Sequence, residues 1–112
     1  MRPQSFKNKV VVITGAASGI GAAISQRFAR EGAKIGMLDQ DENGLRTAAD
    51  QLKAAGVDVG DIRCDVVSQG DSASAINEVI QHYGGIDVLV NNAGITQRSA
   101  FADTQLSVYQ HV

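Results

Sequence analysis

"VVVITGAASGIGAAI", residues 10–24, joins a hydrophobic run to a helical pattern through a turn that contains three glycines. The β-branched run, taken as residues 9–14, is typical of a parallel strand that is buried on both faces. Apolar residues then recur every four positions over residues 19–31, which predicts one buried face of a helix. Gly15, Gly19 and Gly21 lie at this junction, where a backbone without side chains allows a close approach.

The same alternation of strand and helix continues along the chain. Glycines follow the first three predicted helices, at residues 32, 56 and 84, as expected of helix ends. This order predicts right-handed crossovers and a doubly wound parallel α/β sheet of the Rossmann type over residues 1–112, with the first strand near the point where ligands bind. The predicted strands are residues 9–14, 33–39, 57–66 and 86–91, and the predicted helices begin at Gly19, Asp41, Ser68 and Thr104.

Composition excludes several classes of protein. The 112 residues are 44% hydrophobic and 20% charged with a net charge of −2, as in an ordinary globular domain. No apolar run approaches the roughly 18 residues of a membrane span, and no signal-peptide pattern is present, so we expect a cytoplasmic protein without membrane contact. Cys64 is the only cysteine, and the two histidines stand alone, so we expect neither a disulfide nor a metal site. The basic residues are not clustered with aromatics, which argues against nucleic acid.

A glycine turn between a strand and a helix can bind an anion. The first amides of a helix lack internal partners, and the helix dipole adds partial positive charge there. Gly15 would permit the sharp exit from the strand, Gly19 would let a pyrophosphate approach, and Gly21 would let the helix lie close to the sheet. The glycines alone are equally consistent with an ordinary tight turn.

Asp39 favours the binding of a dinucleotide. It ends the second predicted strand, 18 residues after Gly21, where a carboxylate can accept hydrogen bonds from the adenosine ribose. Neither Gln40 nor Ser18 offers a cation to a 2′-phosphate, so the predicted cofactor is NAD and not NADP. A solvated helix cap is the simpler alternative for Asp39. No Gly-Lys-Ser/Thr follows the glycines, which excludes a P-loop, but a methyltransferase would share both features.

Three motifs together resemble the classical short-chain dehydrogenase/reductase family. They are "TGAASGIG" at 14–21, "CDV" at 64–66 and "NNAG" at 91–94, in that order and spacing. The resemblance covers the whole chain and counts against a methyltransferase. It implies a sheet with the strand order 3-2-1-4 that continues in the full family domain, so residues 1–112 would be one incomplete domain. It implies an oxidoreductase that transfers a hydride between NAD(H) and a small secondary alcohol or ketone, and it makes a homo-oligomer plausible.

The resemblance also implies roles for individual residues. Thr14 would tie the glycine turn to the NNAG segment, and Asp65 and the Val66 amide would bind the adenine ring. Asp65 could equally be a strand-end cap, and the two asparagines of NNAG could simply form a turn. The other implied cofactor-binding residues are Gly15, Ser18, Gly19, Ile20 and Gly21 at the first turn, and Asn91, Ala93 and Gly94 in the NNAG segment.

The printed sequence departs from the family in its catalytic residues. The family has a tyrosine four residues before a lysine, a serine upstream of them and an asparagine on the helix after NNAG. Here Tyr83 precedes Asp87 at the tyrosine–lysine spacing, Tyr109 would need residue 113, and the positions of the serine, the lysine and the asparagine are not matched. No residue is therefore predicted as catalytic, and these 112 residues alone should be inactive. A stand-alone NAD-binding or oligomerisation module without turnover is the alternative. An apolar edge on the fourth strand, "IDVLV", would favour self-association.

Overall fold

A computed structural model describes residues 5–93 and the backbone of residues 105–108. Strands and helices alternate up to the fourth strand, and a fifth strand follows. The strands are β1 (Val10–Thr14), β2 (Lys34–Asp39), β3 (Val59–Arg63), β4 (Val88–Asn91) and β5 (Gln105–Val108). The helices are α1 (Gly19–Arg30), α2 (Glu42–Ala54) and α3 (Gln69–Tyr83).

The sheet has the strand order β3-β2-β1-β4-β5. β1 pairs in parallel with β2 and with β4, and β2 pairs in parallel with β3. The predicted order of the first four strands and the Rossmann-like class are therefore confirmed. β1 is central, so the crossovers leave its carboxyl end in opposite directions and open a crevice there, where ligands of this architecture bind.

The two faces of the sheet carry separate cores. α1 and α2 cover one face, where Val11, Ile13, Ile35 and Met37 are fully buried. α3 covers the other face and packs Val79 against Val12 and Leu38. Alternate residues of β1 thus point into opposite cores, which explains why the whole run 10–14 is buried. Within the part of the chain that the structure describes, none of the helices is long and apolar enough to cross a membrane.

The predicted last helix is wrong over residues 105–108. These residues form β5, which pairs antiparallel with β4, with Val108 opposite Val88 and Leu106 opposite Val90. Because the run is short, its apolar residues fit the period of a helix and that of a strand equally well. The backbone groups at the edge of β4 would otherwise be unpaired, and this favours the strand. The expected bare edge of β4 is therefore also wrong, because β5 covers it. Thr104, Tyr109 and Val112 of that predicted helix lie outside the described residues.

Candidate functional site: a cleft at the carboxyl ends of the strands

The three glycines of the first turn differ in how much space a side chain would have at each position. Gly15 has a φ of +65°, which residues with a side chain rarely adopt, and a Cβ there would lie 3.0 Å from Asn92 Nδ2. A Cβ on Gly21 would overlap the carbonyl oxygen of Gly15. At Gly19, by contrast, a Cβ would meet no atom within 4 Å. Gly15 and Gly21 are therefore needed to form the turn, and Gly19 leaves open space on its surface.

The start of α1 presents free backbone donors to this space. Ser18 caps the helix, and its Oγ accepts a hydrogen bond from the Gly21 N–H at 3.0 Å. The N–H groups of Gly19 and Ile20 have no acceptor among the described residues, and Ile20 is 55% exposed. Two unpaired amides at the positive end of a helix form a binding position for an anion.

Asp39 lies at the end of β2 beside the same turn. Its Oδ2 accepts a hydrogen bond from the Ala17 N–H at 2.9 Å, and its Oδ1 accepts one from the Asp41 N–H, also at 2.9 Å. Asp41 in turn caps α2 through the Gly44 N–H. The Asp39 carboxylate is thus fixed by the backbone on both sides, and it lines the cleft.

The end of β3 supplies the opposite wall. Asp65 and Val66 line the cleft, and the Val66 N–H donates no hydrogen bond within residues 5–93. Val67, next in the chain, is 72% exposed. Cys64 is 1% exposed, and burial raises the pKa of its thiol, with smaller contributions from Asp71 and Asp65. Cys64 therefore behaves as a neutral wall residue.

Thr14 joins β1 to the end of β4. Its hydroxyl can donate a hydrogen bond to Asn91 Oδ1, at 3.2 Å, or to the Val90 carbonyl oxygen, at 3.4 Å. The same oxygen accepts a hydrogen bond from the Ala93 N–H at 3.1 Å. Thr14 is 8% exposed, and its contact with the Val90 carbonyl oxygen is buried, whereas those with Asn91 and Ala93 are partly buried. The hydroxyl thereby holds the segment after β4 against the strand that carries the glycine turn.

Asn92 makes a second link between these segments and was missed by the sequence analysis. Its Nδ2 donates to the Gly15 carbonyl at 3.1 Å and lies 3.3 Å from Ser18 Oγ. The residue is 3% exposed, and its Oδ1 is buried without a partner among the described residues. Its position in the NNAG motif was the available clue, because an amide can donate and accept at once and so bridge two loops.

These elements enclose a cleft of about 470 Å³, a size typical of small-molecule sites. Its charged lining residues, among those described, are all aspartates: Asp39, Asp41 and Asp65. Of the residues predicted to bind a cofactor, those that line it are Gly15, Ser18, Gly19, Ile20, Asp39, Asp65, Val66 and Ala93. Thr14 and Gly21 support it from behind, Asn91 is absent from its lining, and Gly94 lies outside the described residues. Ala17, Gln40, Asp41, Cys64, Val67 and Asn92 also line it and were not predicted.

A parallel sheet with a glycine turn, a helix N-terminus and a strand-end carboxylate at one crevice defines a Rossmann-type nucleotide-binding fold. The short chain dehydrogenase family model matches residues 9–112. The chain belongs to this family.

Individual relatives agree with this assignment. A putative ketoacyl reductase of Streptomyces coelicolor is 41% identical over 87 residues, which cover 78% of this chain and 33% of the relative. A crystal structure of a short chain dehydrogenase/reductase from Burkholderia phymatum in complex with NAD has a TM-score of 0.74 and 36% identity, covering 75% of this chain and 30% of that one. Actinorhodin polyketide ketoreductase with NADPH has a TM-score of 0.73 and 39% identity, covering 82% and 34%. The chain thus spans about a third of the length of these relatives.

Proposed function

We propose that this chain is the NAD(H)-binding part of a short-chain dehydrogenase/reductase that interconverts a small secondary alcohol and a ketone. The observation that carries the proposal is that the N–H groups of Gly19 and Ile20 have no acceptor among the described residues, and that both residues line the same cleft as Asp39. Family membership and the NAD complex of the relative from Burkholderia phymatum support it.

The donors and acceptors of the cleft fit such a cofactor. The Gly19 and Ile20 amides would bind the pyrophosphate, since the cleft lining provides no described cation for this purpose. Asp39 would accept hydrogen bonds from the adenosine ribose. Asp65 would accept one from the adenine amino group, and the Val66 N–H would donate to a ring nitrogen. When bound, the nicotinamide ring supplies the carbon that accepts or releases the hydride.

The charge of the cleft supports a preference for NAD over NADP. Asp39 is fixed next to the turn, Gln40 beside it is neutral, and Asp41 and Asp65 add further negative charge. Two like charges at about 4 Å cost up to about 4 kcal/mol at an effective dielectric of 20, and solvent reduces this figure. One solved relative carries NADPH, so the preference follows from these carboxylates and not from the family.

We further propose that these 112 residues bind the cofactor without turning it over. Hydride transfer to a carbonyl needs a proton donor at the developing alkoxide. Tyr83 is absent from the lining of the cleft; its hydroxyl donates to Asp58 Oδ1 at 2.9 Å. Burial raises the pKa of this phenol, and the hydrogen bond to Asp58 raises it further, which is the opposite of what a proton donor near neutral pH requires.

Calorimetric titration of the chain with NAD and with NADP tests the proposal. We expect saturable binding of NAD, at least about tenfold tighter than that of NADP, because of the charge repulsion at Asp39. ADP-ribose should retain most of the affinity, since the proposed contacts are all to the adenosine and pyrophosphate parts of the cofactor. Absence of NAD binding by the folded chain would overturn the proposal, and equal affinity for the two dinucleotides would overturn the preference.

Two proposals about the protein rest on the sequence. We propose a homo-oligomer from the family resemblance, and a cytoplasmic protein from the single cysteine in the sequence. Light scattering of the purified chain tests the first, and fractionation of the source cells tests the second.

A further inference from the structure

Three hydrogen bonds hold Asp65 in its place between β3 and α3, two of them within the turn and one to α3. The Val67 N–H donates to Asp65 Oδ1 at 3.1 Å, and the Ser68 N–H donates to the Asp65 carbonyl oxygen at 2.9 Å. The third bond comes from outside the turn: the Asp65 N–H donates to Oδ2 of Asp71 at 3.2 Å. Asp71 is thus the one residue of α3 with a described hydrogen bond to the main chain of Asp65.

Asp71 is free to make this bond because of the way α3 begins. Ser68 caps the helix, and its Oγ accepts from the Asp71 N–H at 3.2 Å. In a capping box, the acidic side chain at the position of Asp71 would accept from the N–H of the cap residue. Here the Ser68 N–H already donates to Asp65, so the Asp71 carboxylate reaches one step further back, to the Asp65 N–H.

Nearby charge does not account for this arrangement. The Arg63 guanidinium lies 4.0 Å from Asp71 Oδ2, and the two side chains are 55% and 46% exposed. An ion pair this open contributes little. The hydrogen bond to the Asp65 N–H is partly buried and charge-assisted, so it is the contact of Asp71 that orders the turn.

We infer that Asp71 is a positioning residue for the adenine end of the cleft: through the Asp65 N–H it holds the Asp65 carboxylate where the adenine amino group binds. The inference rests on the proposed function and extends it to a residue that does not line the cleft. Asp71 should therefore affect the recognition of the amino group, and not only the affinity for the dinucleotide as a whole.

The test compares NAD with nicotinamide hypoxanthine dinucleotide, in which a carbonyl oxygen replaces the adenine amino group and ring atom N1 carries a hydrogen. The change at N1 is the same for every variant, so differences between variants report on the amino-group position. The wild type should prefer NAD by about tenfold, the usual effect of losing a hydrogen bond to a charged group. Asp71→Ser keeps a good residue for the first turn of a helix but cannot reach the Asp65 N–H, and it should reduce this preference to about that of Asp65→Ala. Asp71→Asn keeps an acceptor oxygen and should retain it.

Three controls separate this role from helix stability. Ser68→Ala removes the cap and should lower the melting temperature while leaving the preference unchanged. Asp50→Ala removes an exposed carboxylate on α2 and should change neither. In the Asp65→Ala background, Asp71→Ser should reduce the preference no further.

The outcomes distinguish the inference from the proposal beneath it. Absence of NAD binding by the wild type overturns the proposed function. If NAD binds and the folded Asp71→Ser variant keeps the wild-type preference, only the inference is overturned. Loss of the preference in folded Asp71→Asn also overturns it, because the acceptor is still present in that variant.

Discussion

Asp39 Oδ2 accepts a hydrogen bond of 2.9 Å from the backbone N–H of Ala17, which joins the end of β2 to the glycine turn after β1. A second bond, from the Asp41 N–H to Oδ1, joins the same carboxylate to the start of α2. One side chain therefore fixes the turn and presents a negative charge to the cleft. These two effects can be separated by substitution.

Replacing Asp39 separates the charge from the hydrogen bonds. Asp39→Asn retains one acceptor oxygen, so the turn should persist, while the lost charge should bring the affinities for NAD and NADP to within about threefold of each other. Asp39→Ala leaves the Ala17 N–H unpaired and should also lower the free energy of unfolding, by about 1–2 kcal/mol. Calorimetry measures the first effect and urea unfolding the second. A preference for NAD that is unchanged in Asp39→Asn would contradict the assignment of the charge.

Gly19 and Gly21 form a matched pair for substitution by alanine. A Cβ at Gly19 meets open space, so Gly19→Ala should fold with a free energy of unfolding within about 1 kcal/mol of the wild type. The added methyl group should nevertheless weaken NAD binding by about tenfold, because it occupies the surface that the pyrophosphate approaches. Gly21→Ala places its Cβ on the Gly15 carbonyl oxygen and should cost about 3 kcal/mol of stability or more. Thermal unfolding with and without NAD tests both; normal NAD binding by Gly19→Ala would contradict the placement of the pyrophosphate.

Thr14 can be replaced by a residue of the same shape. Thr14→Val removes the hydroxyl that contacts Asn91 and accepts from the Ala93 N–H, so it should lower the free energy of unfolding by about 1–3 kcal/mol. Thr14→Ser restores the hydroxyl and should recover most of that loss. Urea unfolding monitored by circular dichroism measures the difference. Equal stability of the valine and serine variants would show that packing, and not the hydrogen bonds, holds the two segments together.

Tyr83 should make stability depend on alkaline pH. Burial, and to a smaller extent the hydrogen bond to Asp58, raises the pKa of this phenol in the folded chain, whereas its pKa in the unfolded chain is about 10. As pH rises, Tyr83 therefore loses its proton first in the unfolded state. Its contribution to the free energy of unfolding is constant below about pH 9 and falls as pH rises above that value. In Tyr83→Phe, the free energy of unfolding should be about 1 kcal/mol lower at pH 7 but should decline less between pH 9 and 11. Tyr109→Phe removes the other tyrosine as a control, and the same decline in Tyr83→Phe as in wild type would contradict the raised pKa.

The sequence predicts the sheet and its crossovers because those features depend on repeated local patterns. Buried runs such as the one before Thr14 alternate with helical patterns that end at glycines, and this alternation is enough to predict a parallel sheet with crossover helices. The order of the first four strands is implied by the family resemblance, and the structure confirms it. The segment at 105–108 is different: four residues carry too little periodicity, and pairing with β4 determines their conformation. Local pattern gives no information about a partner that is distant in the chain.

The site is predictable to the same extent. Asp39, Gly15 and Gly19 lie at the end of a strand or directly after one, so their position in the cleft follows from the fold. The bridge from Asn92 to Gly15 and the bond from Asp65 to Asp71 do not follow, because they depend on side-chain rotamers and on which backbone groups are already paired. The Ser68-x-x-Asp71 spacing indicates a capping box, but only coordinates show that the carboxylate reaches past the cap residue.

The antiparallel pairing of β5 has a consequence for how the sheet can grow. The backbone groups of Val88–Asn91 that face away from β1 are satisfied by Gln105–Val108, so a further strand has to add to the outer side of β5 or replace it. If another strand replaced β5, its pairing with β4 would substitute for the present four-residue pairing. The number of backbone hydrogen bonds made by β4 would then stay nearly constant. Strand exchange at this border would therefore be decided by side-chain packing on the two faces and by the local concentration of the incoming segment.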